Sequence, residues 1–177
     1  MTDYNLKNDD KLKYTTILNY LPEIAFYAIC FLIPFMLGHP QLLVGSMVNA
    51  ALIYAAFETK SKWNLIPLAL TPSIAVLTRG LIFGPLTIFL IYMIPFIWIS
   101  NIFLMAIIRK FQSKMLLSIL LGGFFKVIFL ASFAYLLFSL GVIPAPVLTA
   151  MSIVQIYTLF IGGTLAYLAV LIKRRFA

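Results

Sequence analysis

The sequence predicts an all-α integral membrane protein, a bundle of six transmembrane helices with both termini in the cytoplasm. Of the 177 residues, 63% are hydrophobic and 10% are charged, whereas about a quarter of the residues in a soluble domain are charged. Such a chain has too little polar surface to cover a water-soluble core, so lipid is its expected solvent. Six apolar segments along the chain supply the helices.

The positions of the basic residues predict the orientation of these helices. Most of the Lys and Arg residues fall in four clusters: Lys7, Lys11 and Lys13; Lys60 and Lys62; Arg109, Lys110 and Lys114; Lys173, Arg174 and Arg175. Nearly uncharged loops alternate with the clusters, so the positive-inside rule places every cluster in the cytoplasm and Arg79 outside. Because topology explains the net charge of +8, no nucleic-acid partner is expected. The expected location is the cell (cytoplasmic) membrane.

Residues 1–14 are predicted to form a polar cytoplasmic tail, and residues 15–177 a single transmembrane domain. The first apolar run, Ile17–Leu37, has about the 20 residues that a spanning helix needs. It lacks a small-residue cleavage site, which indicates a retained helix and not a signal peptide. The other predicted spans are Gln41–Phe57, Trp63–Leu77, Leu81–Ile108, Met115–Leu140 and Val147–Ile172.

The third and fourth segments are unusual. Trp63–Leu77 covers only about 22 Å of a hydrocarbon core about 30 Å thick, and Pro67 and Pro72 remove backbone donors, which predicts a short, proline-broken helix. The fourth segment is long and carries Pro85 and Pro95. Freed backbone groups are tolerated where they face protein or a cavity, so these segments are candidate walls of a binding site. The alternative is that the prolines only kink helices for packing.

Polar residues at one depth predict a cavity at the middle of the bilayer. At about 1.5 Å per residue, each predicted helix brings a polar group to this depth: Glu23, Asn49, Thr71, Trp98 with Asn101, Lys126, and Gln155. These groups are costly in hydrocarbon and should face inward, with Glu23 and Lys126 as the natural ion pair. The alternative is that the layer only joins helices through hydrogen bonds.

One face of the fourth segment adds aromatic rings to this layer. Tyr92, Pro95, Trp98 and Asn101 follow each other at i, i+3 spacing, which predicts two rings, a kink and an amide on one side of the helix. Aromatic side chains with a few polar groups are typical of a small-molecule pocket. Ordinary packing of a bundle rich in phenylalanine is the alternative explanation.

The residue types that the chain lacks exclude several functions. The only histidine, His39, lies in a predicted outer loop, so a His-rich metal site and a bis-His haem are excluded. The sequence has no glycine-rich phosphate loop, and Glu23 is the only carboxylate within a predicted span. ATP hydrolysis and paired-acid catalysis by this chain are therefore excluded. We expect no enzymatic activity, no metal and no cofactor, whereas ligand binding or transport needs only a cavity.

The chain resembles a known family in its architecture and in two short motifs. The sequence GPLT at Gly84–Thr87 opens the fourth helix, and Ala51 and Ala55 form an A-x-x-x-A pair on helix 2. With its length and six predicted helices, the chain resembles the substrate-binding S components of energy-coupling factor (ECF) transporters. The resemblance implies a small-molecule ligand, and a T subunit and ATPase subunits as partners. It also implies that Ala51 and Ala55 contact the T subunit.

The resemblance further implies a ligand site near the outer ends of helices 4–6, beneath the first outer loop. The lining it implies, with the other residues of the polar layer, is Arg79, Tyr92, Trp98, Lys126, Gln155, His39, Gln41, Asn101, Asn49 and Glu23. Arg79 and Lys126 favour a small organic anion as the ligand.

Two other functions stay open at the level of the sequence. One is a secondary transporter in which Glu23 carries a proton, its pKa raised by burial. The other is a structural or assembly subunit that transports nothing and whose polar layer only fixes the helices.

Overall fold

The computed structural model describes residues 24–37, 40–59, 63–79 and 84–176. All regular secondary structure in these ranges is helical, without a strand. The helices, in chain order, are α1 Ile24–Leu37, α2 Gln41–Glu58, α3 Leu65–Arg79, the 3₁₀ helix Gly84–Phe89, α4 Leu90–Lys110, α5 Met115–Ser139, α6 Ala145–Met151 and α7 Ile153–Phe176.

The lengths and surfaces of these helices are those of a multi-pass membrane protein. In the described ranges, 4 helical segments are long and apolar enough to cross a membrane: Gln41–Glu58, Leu86–Lys110, Met115–Ser139 and Ala145–Phe176. The apolar helices α1 and α3 are shorter. Large hydrophobic side chains cover the outside of the bundle; Phe124 and Phe160, for example, are 68% and 61% exposed. Lipid solvates such a surface well and water does not.

Small residues allow the helices to pack closely. The main pairs are α2 with α7 and α4 with α5. A Cβ atom on Gly162 of α7 would lie 2.5 Å from the carbonyl oxygen of Ser46 and 2.8 Å from the Cβ of Asn49. On α5, a Cβ atom on Gly122 would lie 3.0 Å from the carbonyl oxygen of Leu104. Backbones that approach this closely are typical of helix pairs in membranes.

One end of the bundle, which we call the basic end, gathers the described basic clusters. Arg109 donates a hydrogen bond to the carbonyl oxygen of Thr59 at 2.9 Å, and Gln112 donates to that of Ala56 at 3.2 Å. Lys173 forms an ion pair with Glu58. The end of α2, the turn between α4 and α5, and the end of α7 therefore lie together. Which side of the membrane the basic end faces, and the count of six spans, remain predictions.

Two of the predicted spans agree with the observed helices to within one residue. The prediction Gln41–Phe57 corresponds to α2, and Met115–Leu140 corresponds to α5. Helix α5 ends in a Schellman motif: Gly141 has φ +70°, its N–H donates to the carbonyl oxygen of Phe138 at 2.9 Å, and the N–H of Val142 donates to that of Leu137 at 2.9 Å. A positive φ favours glycine at this position.

The third predicted span is short but is not broken, so this part of the prediction is wrong. Helix α3 has 15 residues and continues through Pro72. Pro67 stands in its first turn, where a backbone nitrogen has no acceptor within the helix. Pro72 removes one bond to the preceding turn without ending the helix, and it borders a cavity described below.

The fourth and sixth predicted spans each divide into two helices. The fourth begins as a 3₁₀ helix at Gly84, whose φ of +55° favours glycine, and α4 starts only at Leu90. The sixth is interrupted at Ser152, whose φ of −120° and ψ of −86° lie outside the helical region. The Ser152 hydroxyl donates to the carbonyl oxygen of Leu148 at 2.6 Å. A serine that bonds to the preceding turn in this way bends a helix.

Candidate functional site

Lys126 lies at the centre of a buried polar network, which we call the Lys126 network. The residue is 4% exposed, and its Nζ donates to Oδ1 of Asn49 at 2.6 Å and to Oδ1 of Asn101 at 2.7 Å. Nδ2 of Asn49 donates to Oγ1 of Thr158 at 3.2 Å, and Nδ2 of Asn101 donates to the carbonyl oxygen of Ala69 at 3.0 Å. The network therefore joins α2, α3, α4, α5 and α7 at one depth.

The orientation of both amides suits an ammonium group. An ammonium has three donors and no acceptor, and both asparagines turn their oxygens toward it because their NH₂ groups are bonded elsewhere. Aligned amide dipoles stabilise a positive charge in a low-dielectric interior. No described carboxylate lies within 4.0 Å of Lys126 Nζ. Glu23, the predicted ion-pair partner, lies outside the described residues.

A cavity of about 110 Å³ opens next to this network, between α1, α2, α3, α4 and the junction of α6 with α7. Most of its lining is aliphatic, and three polar residues join it: Gln41, Ser73 and Gln155. An apolar cavity with a few polar groups is typical of a small-molecule site. An engineered protein cavity of about 150 Å³ holds one benzene molecule, so this cavity in its present form holds a group of roughly that size.

The cavity and the Lys126 network are neighbours on α2, α4 and α7. Val48, which lines the cavity, immediately precedes Asn49, and the lining residue Ile97 stands one turn before Asn101. A turn of helix is about 5.4 Å long. The polar network therefore lies just below the cavity, toward the middle of the bundle.

Thr158 connects the cavity and the Lys126 network directly. Its hydroxyl accepts the bond from Asn49 and donates to the carbonyl oxygen of Gln155 at 3.1 Å, and Gln155 lines the cavity. A Cβ atom on Gly45, another lining residue, would lie 2.7 Å from the methyl carbon of Thr158. The wall of the cavity at Gly45 and Gln155 is therefore in direct contact with a side chain that belongs to the network.

The structure brings together some of the predicted site residues. Asn49, Asn101 and Lys126 meet in the network, and Gln41 and Gln155 line the cavity. Glu23 and His39 lie outside the described residues. The backbone of Arg79 ends α3, but its side chain is likewise outside what the structure describes.

The predicted wall of Tyr92, Trp98 and Asn101 is corrected by the structure. Tyr92 is 53% exposed and does not line the cavity, whereas Asn101 is 2% exposed. The two residues are nine positions apart, which is two and a half turns at about 3.6 residues per turn, so they point to opposite sides of α4. Trp98 is half-buried, and its indole Nε1 is buried without an acceptor among the described residues.

Two members of the site were not among the predicted site residues. Thr158 shares a helix face with Gln155 and Gly162, and this i, i+3, i+7 spacing is a signal in the sequence. The carbonyl oxygen of Ala69 leaves no such signal, because every residue has one. Thr71, the polar residue predicted on α3, instead donates to the carbonyl oxygen of Pro67 in its own helix at 2.9 Å.

The predicted contact residues for a T subunit also lie elsewhere than expected. Ala51 and Ala55 are 8% and 0% exposed and belong to the core of the bundle. Small side chains there let α2 pack against its neighbours within this chain. The pair is therefore buried in the bundle and absent from its described surface.

No family model, curated protein or solved structure matches this chain. Its function is therefore inferred from the chemistry of the site itself.

Proposed function

We propose that this protein is a membrane-embedded binding subunit of the S-component type, which captures a small organic ligand and delivers it with separate ATPase partners. The observation that carries the proposal is the buried Lys126 network directly beneath an apolar cavity. A lysine is expensive inside a membrane protein, and an apolar residue of the same size packs there at lower cost. A role in binding explains why the chain keeps it.

The charge of Lys126 supports an anionic or carbonyl-bearing ligand. Asn49 and Asn101 accept hydrogen bonds from two of the three donors of its ammonium group. A carboxylate or carbonyl oxygen of the ligand would accept the third. The aliphatic lining above it, between Val48 and Ile97, would bury the apolar part of the same molecule.

The size of the cavity adds a requirement for movement. A molecule much larger than benzene does not fit into about 110 Å³, so the helices around the cavity must move apart to admit such a ligand. The interruption at Ser152 lies next to Met151, which lines the cavity. A helix junction of this kind is a natural hinge, and we propose that α6 moves when the ligand enters.

The test is native mass spectrometry of the full chain, gently extracted, together with thermal-shift screening against small carboxylates. The wild-type protein should carry or bind a small molecule, and Lys126→Met should lose it. Thr71→Val is the matched control, because this polar residue lies at a similar depth outside the network. If Lys126→Met binds as well as the wild type, the proposal is wrong.

Partners and energy source are tested separately. An S-component role requires co-purification with a T subunit and ATPase subunits. The proton-coupled alternative based on Glu23 instead requires uptake by vesicles that contain this chain alone, and an uncoupler should abolish that uptake.

A structural subunit is the second candidate function, favoured by the hydrogen bonds that satisfy both asparagines within the bundle. In that case Lys126→Met should change the melting temperature while no ligand is found for either protein.

If Glu23 pairs with Lys126, the Lys126→Ala/Glu23→Ala double variant should recover part of the folding that Lys126→Ala alone loses. Detergent-resistant folding measured by size-exclusion chromatography checks this.

A further inference from the structure

The outer surface of the bundle carries a second concave feature, an apolar groove of about 790 Å³ between α5 and α7. None of its lining residues lines the cavity described above. The helices touch along its floor, where a Cβ atom on Gly163 would lie 3.1 Å from Cγ2 of Ile119. Its walls include the exposed side chains of Leu116, Leu120, Phe124 and Phe160 and the half-buried side chain of Tyr167. We call this feature the α5–α7 groove.

The α5–α7 groove runs along the helices and has about the length of one leaflet. On α5 it extends from Leu116 to Ile128, which is about 18 Å at 1.5 Å per residue. The hydrocarbon core of a bilayer is about 30 Å thick. The groove thus begins close to the basic end of the bundle and reaches about to the middle of the membrane.

Two exposed basic residues lie close to the end of the groove that is nearest the basic end. Lys114 is the N-cap of α5, two residues before Leu116. Arg174 follows the lining residue Tyr167 by seven positions, so the two share one face of α7. Lys114 and Arg174 are exposed, and the ion pair found among the described residues, Lys173 with Glu58, includes neither of them.

We propose that the α5–α7 groove binds an anionic phospholipid from the leaflet at the basic end. One acyl chain lies in the groove, and the phosphate group contacts Lys114 and Arg174. Basic residues at the mouth of a gap between membrane helices are the usual recognition elements for anionic headgroups. The apolar walls take up the chain by the same burial that anchors other lipids.

The charges argue against a second copy of this chain in the groove. Two copies inserted in the same direction around a two-fold axis would bring their basic ends together. Lys114 and Arg174 of each copy would then face like charges at the contact. A phosphate group brings the opposite charge to the same position.

The test is lipid binding to the purified, delipidated full chain, measured by native mass spectrometry. Phosphatidylglycerol and phosphatidylcholine with identical acyl chains are titrated against the wild type and four variants. The wild type should prefer phosphatidylglycerol. Lys114→Gln and Arg174→Gln should each lower the affinity for that lipid about fivefold. Arg175→Gln is the matched control, since it removes the same charge about 100° further around α7. Thr164→Trp, which fills the groove from an exposed position, should lower the affinity for both lipids.

Three outcomes would overturn the proposal. If the wild type binds the two lipids equally well, the phosphate group does not make the proposed contact with Lys114 and Arg174. If Arg175→Gln weakens phosphatidylglycerol binding as much as Arg174→Gln does, the preference for this lipid comes from the overall charge of the basic end and not from a contact at the groove. A protein that is dimeric in the same spectra, and that Thr164→Trp makes monomeric, has a second copy in the groove instead of a lipid.

Discussion

Asn49 and Asn101 stand on different helices and perform the same task at Lys126. Each presents its amide oxygen to the ammonium and anchors its NH₂ group on a second partner. A buried donor that loses its acceptor costs about 1–3 kcal/mol, and more when it is charged. Lys126 therefore depends on both asparagines, and the loss of either one should destabilise the folded protein.

Replacing Asn101 tests this dependence. Asn101→Leu removes one acceptor of the ammonium and leaves the carbonyl oxygen of Ala69 without that donor, so it should lower the free energy of unfolding by about 2–3 kcal/mol. Asn101→Asp keeps an oxygen beside the ammonium and adds a negative charge, so it should remain closer to the wild type. Unfolding in mixed micelles with increasing dodecyl sulfate measures both. Equal stability of Asn101→Leu and the wild type would contradict the description of the network.

Trp98 presents the opposite situation, a buried donor without an acceptor among the described residues. Trp98→Phe keeps an aromatic ring and removes this N–H group, so the unfolding free energy should stay within about 1 kcal/mol of the wild-type value. A loss of 3 kcal/mol or more in the same micelle assay would show that the indole N–H is bonded in the folded protein. Tyr92→Phe, at an exposed position of the same helix, is the control.

At the scale of the helices, closeness of approach decides where glycine is required. Gly162 and Gly163 are adjacent in α7, yet their surroundings differ. The missing Cβ of Gly162 faces the backbone of α2, whereas that of Gly163 faces the Cγ2 methyl group of the Ile119 side chain. Backbone cannot yield without separating the helices, but a side chain can rotate.

Alanine substitutions at these two positions should therefore differ in effect. Gly162→Ala should destabilise the protein by about 2–3 kcal/mol, because α2 and α7 must move apart. Gly163→Ala should cost less than half as much. The pair forms its own matched control, measured by thermal unfolding in one detergent. The reverse order of the two effects would contradict the packing described for α2 and α7.

The helices also show what a sequence can and cannot predict. Long apolar runs and turn residues place α2 and α5 within one residue, because lipid imposes a length on each span. The interruption at Ser152 is not accompanied by a proline or glycine, and the serine hydroxyl that bonds to the preceding turn is found equally in unbroken helices. Depth counting finds Asn49, Asn101 and Lys126 because depth is additive along a helix. The rotation around the helix axis also adds up, residue by residue. The i, i+3 spacing neglects this rotation, and for that reason it placed Tyr92 on the wrong side of α4.

At the scale of the whole molecule, charge and apolar surface are separated. The described basic clusters gather at one end, and the sides of the bundle are apolar. The positive-inside rule then predicts that the basic end faces the cytoplasm. The opposite end carries the loop between α5 and α6 and the beginning of α2.

Cysteine labelling tests this orientation in cells. The native Cys30 is 0% exposed, so the wild-type chain should give little reaction with a membrane-impermeant maleimide and serves as the background control. Leu140→Cys, in the turn after α5, should react in intact cells. Lys114→Cys, at the basic end, should react only after the cells are opened. Labelling of Lys114→Cys in intact cells would show the inverted orientation.

The order in which the residues of the Lys126 network leave the ribosome has its own consequence. Asn49 and Asn101 are synthesised before Lys126, so α2 and α4 enter the membrane before the lysine does, and chains assemble from the N-terminus onward. Both acceptors of the lysine have therefore been synthesised before the lysine enters the membrane. Thr158 comes last and fixes Asn49 from the other side. A chain truncated after α5 therefore already contains both asparagines that accept hydrogen bonds from the Lys126 ammonium.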